Sequence, residues 1–218
     1  GYSVLFLGGG ASLQFAMIPS NFIKSKAFYV NTGTWSSKAI KEAKLFGNVN
    51  VAANGEEYNF GKIPGNFSFT PQAAYVHLTS NNTIFGTQWK IFPDVGNVPL
   101  VVDMSSDIMS RKIDMSQFSL VYAGAQKNAG PAGATLVIIK KELLDKAASR
   151  SIPTMLNYKT HIEKDSAFNT PPVFAIYVIG LVAEWIKNSG GLSKIEEVND
   201  KKGKLLYDTI DSMPDFYK

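Results

Sequence analysis

Short apolar runs of strand length alternate along the chain with longer segments whose apolar residues recur at helical spacing. Tyr2–Leu7, Lys26–Asn31, Asn48–Ala52, Gln72–Thr79, the run opening at Pro99, Phe118–Tyr122 and Ala134–Ile139 read as strands. Leu13–Ile23, the segment through Lys38–Lys44 and Lys140–Ala148 read as helices, with Ser36 or Ser37 as a cap for the second. This alternation predicts an α/β fold, a three-layer α/β/α sandwich around a mostly parallel mixed sheet. Tyr2–Leu7 is apolar enough to be expected as a buried strand with helices on both faces. The segments Asn54–Asn66 and Ser151–Thr170 lack either period and are expected to be irregular. A loop as long as the second usually serves function or an interface. Val173–Asn188 is apolar almost all round, which predicts deep burial or a subunit interface. Gly190 and Gly191 stop it, and Leu192–Ser212 follows as a helix with a solvated Lys/Glu face.

Composition narrows the class. Hydrophobic residues are 45% of 218, enough to bury one substantial core. The net charge of +4 comes from scattered lysines, and arginine occurs only at Arg111 and Arg150. The clustered basic footprint of a nucleic-acid binder is therefore missing. The chain has no cysteine, which removes disulfides and thiolate metal sites and suits a reducing compartment. Its longest apolar run, Val173–Ala183, is short of the roughly 20 residues a spanning helix needs. The first residues carry no basic segment or cleavage pattern of a signal peptide. A cytoplasmic protein with neither membrane nor nucleic-acid partner is expected. His77 and His161 are the only histidines, without a carboxylate at ligand spacing, so no zinc site is expected. His77 reads as a packing histidine of the core.

Chemistry concentrates in the stretch Tyr122–Gly133, where Lys127 sits among small residues between two strands. An accessible amine there suits carbonyl chemistry, because a neutral lysine can form a Schiff base. The loop alone also fits a surface lysine in a tight turn. Upstream, the strand from Pro99 ends in Asp103, followed by Ser105, Ser106 and Asp107. Asp103 fits a pyridinium partner, a helix cap or an Asx turn, and Asp107 is its competitor. An acid at a strand end followed by such a lysine is the pair that pyridoxal phosphate requires, since the carboxylate keeps the ring nitrogen protonated. Gly8-Gly-Gly-Ala-Ser12 leads from a strand into a helix, which suits phosphate at the helix N-terminus or simply a tight turn. The absence of Gly-Lys-Ser/Thr argues against a nucleotide loop. Trp35, at a loop-to-helix junction, fits core packing or stacking on a flat ring. Ser80–Gln88 is dense in hydrogen-bonding side chains at a strand end, where open α/β sheets place ligands.

Together with Asn31-Thr-Gly-Thr-Trp-Ser36, Gly124-Ala-Gln-Lys127 and Phe168-Asn-Thr-Pro-Pro172, these stretches resemble the phosphoserine aminotransferases, class V, fold-type I pyridoxal-phosphate enzymes, over nearly the whole chain. The resemblance implies that residues 1–218 form the cofactor-binding large domain. It also implies that an N-terminal segment precedes it and a small domain follows it. Lys127 then carries the Schiff base and moves the proton, and Asp103 faces the ring nitrogen. Trp35 stacks on the ring and Thr83 bonds beside the Schiff base. Ala11, Ser12 and Gln126 hold the phosphate, with Asn169 and Thr170 contributed from the other subunit of a homodimer. Thr170 also fits a plain helix cap before Pro171. The implied reaction is transamination between glutamate and 3-phosphohydroxypyruvate, giving phosphoserine and 2-oxoglutarate in serine synthesis. Arg111 and Arg150 do not match the family's substrate-binding positions, so turnover by this segment alone is not expected. Two alternatives share some of these residues: another fold-type I aminotransferase or desulfurase, and a non-catalytic phosphate-binding domain.

Overall fold

The structure is a computed structural model that describes residues 1–147 and 150–217. Its elements run β1 (Tyr2–Leu7), α1 (Gly10–Phe22), β2 (Lys26–Asn31), α2 (Thr34–Ala43), β3 (Asn48–Asn54), β4 (Val76–Thr79), β5 (Asn81–Asn82) and β6 (Thr87–Gln88). They continue through β7 (Leu100–Asp103), β8 (Leu120–Gly124), β9 (Thr135–Lys140), α3 (Lys141–Asp145), α4 (Tyr158–Glu163), α5 (Val173–Asn188) and α6 (Gly191–Asp211). One seven-stranded sheet has the order β1-β9-β8-β7-β4-β2-β3. The pairs from β8 to β3 are parallel, and β9 is antiparallel to both its neighbours. β5 and β6 form a separate hairpin after β4. The expected α/β architecture with a mostly parallel mixed sheet is what the chain adopts.

The period of two in each central strand divides the core in half. Phe28, Val30, Val76, Leu78, Leu100, Val102, Val121 and Ala123 point to one face, where Ala175 and Ile179 of α5 pack with Trp89 and Phe118 from irregular segments. Tyr29, Val101, Leu120, Tyr122 and Val137 point to the other, against Phe15, Ile18 and Phe22 of α1 and Ala39 and Ile40 of α2. Both faces of the parallel strands are covered, as such strands require.

Several expectations need correction. Tyr2–Leu7 is not a buried strand but the sheet's edge, with Val4 52% exposed. Apolar content marks Leu5 and Leu7 as core, yet it does not distinguish edge from centre. Helix α2 is capped by neither Ser36 nor Ser37, because Gly33 holds the N-cap position. Ser36 lies three residues into the turn, where its Oγ accepts from the backbone N–H of Gly33 at 2.9 Å and of Thr32 at 2.8 Å. The segment 151–170 is not wholly irregular. It holds a 3-10 turn at Thr154–Leu156 and then α4, which Asn157 starts by accepting from Lys159 N–H at 3.0 Å. The helix expected over Lys140–Ala148 is α3, and Ala148 lies outside the described residues.

Helix α5 has the expected bounds but not deep burial. Ala175, Ile179 and Ile186 are buried, while Phe174 is 74%, Tyr177 63% and Trp185 59% exposed. Its docked stripe meets the loop after β8 at Gly130, where a Cβ would lie 2.9 Å from Ile179. Among the described residues no single helix is long and apolar enough to cross a membrane.

Candidate active site

Adjacent parallel strands end together, so their last residues converge. Thr79 pairs with Asp103 across β4 and β7, and Asp103 pairs with Tyr122 across β7 and β8. The loop 125–134 leaves β8 at this edge and carries Lys127. It is closed by Ala125 N–H donating to Ala134 O at 3.0 Å and Gly130 N–H to Ala125 O at 2.9 Å. The result is a cleft of about 120 Å3 at the carboxyl ends of the strands, lined by Ala11, Ser12, Trp35, Asp103, Gln126 and Lys127. Six of the expected site residues thus meet in one place, where open α/β sheets bind ligands. A larger cleft of about 680 Å3 lies at the opposite ends of β7 and β8, between Asp94, Ser119 and Lys140. It holds none of the expected site residues.

The floor of the cleft is Asp103. Its Oδ1 accepts from the Ser105 N–H at 2.9 Å and the Ser105 hydroxyl at 2.6 Å. Burial raises its carboxyl above the usual value, while the Ser105 hydrogen bonds and the Lys127 charge pull it back down. Asp107, the competing acid, is used elsewhere. Its Oδ1 accepts from the Ser80 hydroxyl, its Oδ2 accepts from Gln88 Nε2 at 3.1 Å, and Arg111 lies 3.7 Å away. It ties the hairpin to the turn after β7 and does not line the cleft.

Lys127 Nζ donates to Thr83 Oγ1 at 2.7 Å and lies 5.2 Å from the centroid of Trp35. Trp35 stands in the first turn of α2, with its Nε1 buried and unpaired. The loop before it is joined to the hairpin by Thr32 Oγ1 donating to Asn82 Oδ1 at 3.1 Å, and Asn82 Nδ2 donates onward to Thr87 Oγ1 at 2.9 Å. Gly33 permits this approach, since a Cβ there would lie 2.8 Å from Phe85 at a backbone φ of 153°.

One wall is the N-terminus of α1. Gly9 caps it at φ 85°, Gly10 follows at φ 67°, and among the described residues no side chain bonds to the first turn. A Cβ on Gly9 would fall 2.5 Å from Leu13, so this entry into the helix needs glycine. The free N–H groups of Ala11 and Ser12's turn give the wall a positive end.

Asn169 and Thr170 are not brought here. They border a different, apolar groove with Leu7, Leu13, Met17 and Leu156, and both are exposed. Gly10, Thr79, Asn81, Ser105 and Ser106 line the cleft without having been singled out as site residues. For Ser105 a signal existed, since Asp-x-Ser is an Asx-turn pattern. For Thr79, whose Oγ1 is buried without a partner, only strand register shows it. His77 is a core residue as expected, 1% exposed, but one ring nitrogen is left unpaired. Arg111 donates to the carbonyls of Trp89 and Lys90, and Arg150 to those of Ile23 and Phe46.

The chain is similar to known proteins. The phosphoserine aminotransferase of Lysinibacillus sphaericus is 55% identical to the chain over all of it and 61% of that protein. That of Flavobacterium psychrophilum is 58% identical over 97% of the chain and 59% of its own length. Among solved structures, the phosphoserine aminotransferase of Bacillus circulans subsp. alkalophilus superposes with a TM-score of 0.93 at 52% identity, covering 97% of this chain and 59% of that one. The pyridoxal-phosphate-bound enzyme of Trichomonas vaginalis gives 0.89 at 37% identity, covering 97% and 60%. The chain spans about three fifths of the length of these relatives. With its sheet, its cleft and a match of the aminotransferase class-V model to residues 1–218, the chain belongs to the class-V aminotransferases.

Proposed function

We propose that residues 1–218 are the cofactor-holding large domain of a phosphoserine aminotransferase. In that reading glutamate and 3-phosphohydroxypyruvate exchange an amino group for an oxygen, giving phosphoserine and 2-oxoglutarate. The observation that carries it is the meeting of an exposed amine, an indole ring and a buried carboxylate in one cleft beside a helix N-terminus that no described side chain caps. Pyridoxal phosphate fits these residues. Its phosphate needs donors, and the first turn of α1 has backbone N–H groups bonded by no side chain. Its flat ring needs a face, and Trp35 offers one. Its ring nitrogen needs an anion, and Asp103 is a buried one. When bound, the group supplies an electron sink for charge developing at the substrate's reacting carbon.

The chain's residues do the rest. Lys127 Nζ anchors the cofactor and, as a free amine, holds and moves the substrate's proton. Thr83 Oγ1 orients that amine through its 2.7 Å hydrogen bond. Ala11, Ser12 and Gln126 cradle the phosphate, and Ser105 aims Asp103. Both arginines are committed to backbone carbonyls, so bidentate recognition of the anionic substrates falls to residues outside 1–218. Asn169 and Thr170, together with the exposed aromatic face of α5, meet a second copy of the chain and complete its phosphate site. The enzyme works in the cytoplasm, consistent with its lack of cysteine.

The test is the visible absorption of the chain with added pyridoxal phosphate, followed by borohydride reduction and mass mapping. A label confined to Lys127 is expected. A colourless protein, with the label spread over surface lysines in the full-length chain as well, sinks the reading.

A further inference from the structure

The sheet face under α1 and α2 carries a polar row that the cleft alone does not use. Tyr29 on β2 pairs with His77 on β4, and Tyr122 on β8 pairs with Asp103 on β7. The His77 ring stacks on Tyr29 at 4.6 Å, and its Nε2 lies 2.9 Å from the Tyr122 hydroxyl. Its Nδ1 is buried without a partner among the described residues. Burial lowers the imidazole to about 3, so it is neutral and only one ring nitrogen bears hydrogen.

Two tautomers compete. Hydrogen on Nδ1 leaves a buried N–H donor without an acceptor, the costlier kind of orphan. Hydrogen on Nε2 leaves only an acceptor lone pair unused. In that tautomer Nε2–H donates to the Tyr122 oxygen, and the phenol's own proton turns to the remaining acceptor. The charged side chain placed to receive it is Asp103, which pairs with Tyr122 across β7 and β8 and so lies on the same sheet face. Burial raises the Tyr122 phenol well above its usual value, and the neighbouring charge of Asp103 raises it further. Asp103 is otherwise faced by Ser105 and Asp107 from the turn after β7 and by Lys127 across the cleft. Around the phenol stand Tyr29 from β2, Tyr158 from α4 and the edge of Phe15 from α1.

We propose that His77 and Tyr122 are positioning residues behind Asp103: His77 Nε2–H donates to the Tyr122 oxygen, and the Tyr122 hydroxyl donates to the Asp103 carboxylate, holding it charged toward the cleft. The consequence for catalysis rests on Asp103 as the cofactor's ring-nitrogen partner; the hydrogen-bonded pair itself does not.

Carbon-13 NMR of the Asp103 carboxyl in the 218-residue chain without cofactor, assigned with Asp103→Asn, tests it. Tyr122→Phe is expected to move the carboxyl titration up by about one pH unit, the loss of one hydrogen bond to a charge. His77→Phe moves it less, His77→Gln restores most of it through an amide donor, and the double Phe variant moves no further than Tyr122→Phe. An unmoved titration in folded Tyr122→Phe overturns the proposal. So does a His77→Phe shift that persists without Tyr122. Should Tyr122→Phe fail to fold, nitrogen-15 shifts of His77 in the parent decide: hydrogen on Nε2 supports the pair, hydrogen on Nδ1 refutes it. Failure of pyridoxal phosphate to attach to Lys127 in the same sample sinks the functional reading and leaves the pair standing.

Discussion

Lys127 Nζ and Thr83 Oγ1 lie 2.7 Å apart although 44 positions separate them in the chain. The hairpin of β5 and β6 leaves the end of β4 and folds back over the loop after β8, which puts the hydroxyl in front of the amine. Thr83→Val keeps the shape and removes the acceptor. Because Thr83 is exposed, thermal stability is expected to change little. In the full-length enzyme kcat/KM is expected to fall about tenfold, the worth of one oriented hydrogen bond. Steady-state kinetics beside a melting curve checks both halves.

Asp103→Asn trades stability against function. Burial raises the Asp103 carboxyl above 3.8, so folding favours its protonated form. Its contribution to stability therefore falls as pH rises from about 3.8 through the higher folded value, and the penalty is complete above that. Asparagine still accepts from Ser105 and carries no charge. Melts of the cofactor-free chain are expected to show Asp103→Asn more stable than the parent at pH 8, with the gain vanishing near pH 4. On the proposed function, the same change in the full-length enzyme is expected to lower turnover roughly a hundredfold or more, because the cofactor's ring nitrogen would lose its anion.

His77 makes the chain acid-sensitive. Its folded value is about 3 against 6.5 when unfolded, so the unfolded chain binds the extra proton between them. Stability from this group is full above about pH 6.5 and is lost as pH falls toward 3, at about 1.4 kcal/mol per unit. His77→Phe keeps the stack on Tyr29 and removes the titration. Denaturant unfolding from pH 7 to 4 is expected to show a slope shallower by one proton, after a loss of about 1 kcal/mol at neutral pH from the missing hydrogen bond.

The exposed face of α5 and the distance of Asn169 and Thr170 from Lys127's cleft lead to a mixing experiment. On the proposed function, Lys127→Ala chains and Asn169→Ala/Thr170→Ala chains of the full-length enzyme each lack one half of every site. Mixed dimers hold one complete site, so random re-association is expected to restore about a quarter of the parent's cofactor-binding capacity. No recovery on mixing, with dimers present by light scattering, excludes a shared site.

Much of this was legible along the chain. Alternation located the strands, β1 and β2 with their observed bounds, because a residue's face in a strand depends only on its neighbours. Lys127 and Asp103 stood out because small residues and strand ends are local features. Ala11, Ser12, Trp35, Thr83 and Gln126 were named from resemblance, and they gather around the same cleft. The period of apolar residues in α5 gave its length, but apolarity does not say which stripe finds a partner. Only packing against Gly130 shows that Ile179 is inside and Trp185 outside.

Local pattern therefore set the elements, the class of fold and the residues fit for chemistry. Strand order and register set everything that depends on distance. They made Tyr2–Leu7 an edge, assigned Asp107 to the hairpin and Asp103 to the cleft, and laid His77 against Tyr122. Asn169 and Thr170 went to a groove away from Lys127 in the same way. The reason is physical: spacing encodes which way a side chain faces, whereas its partner is chosen by backbone hydrogen bonds between segments far apart in the chain.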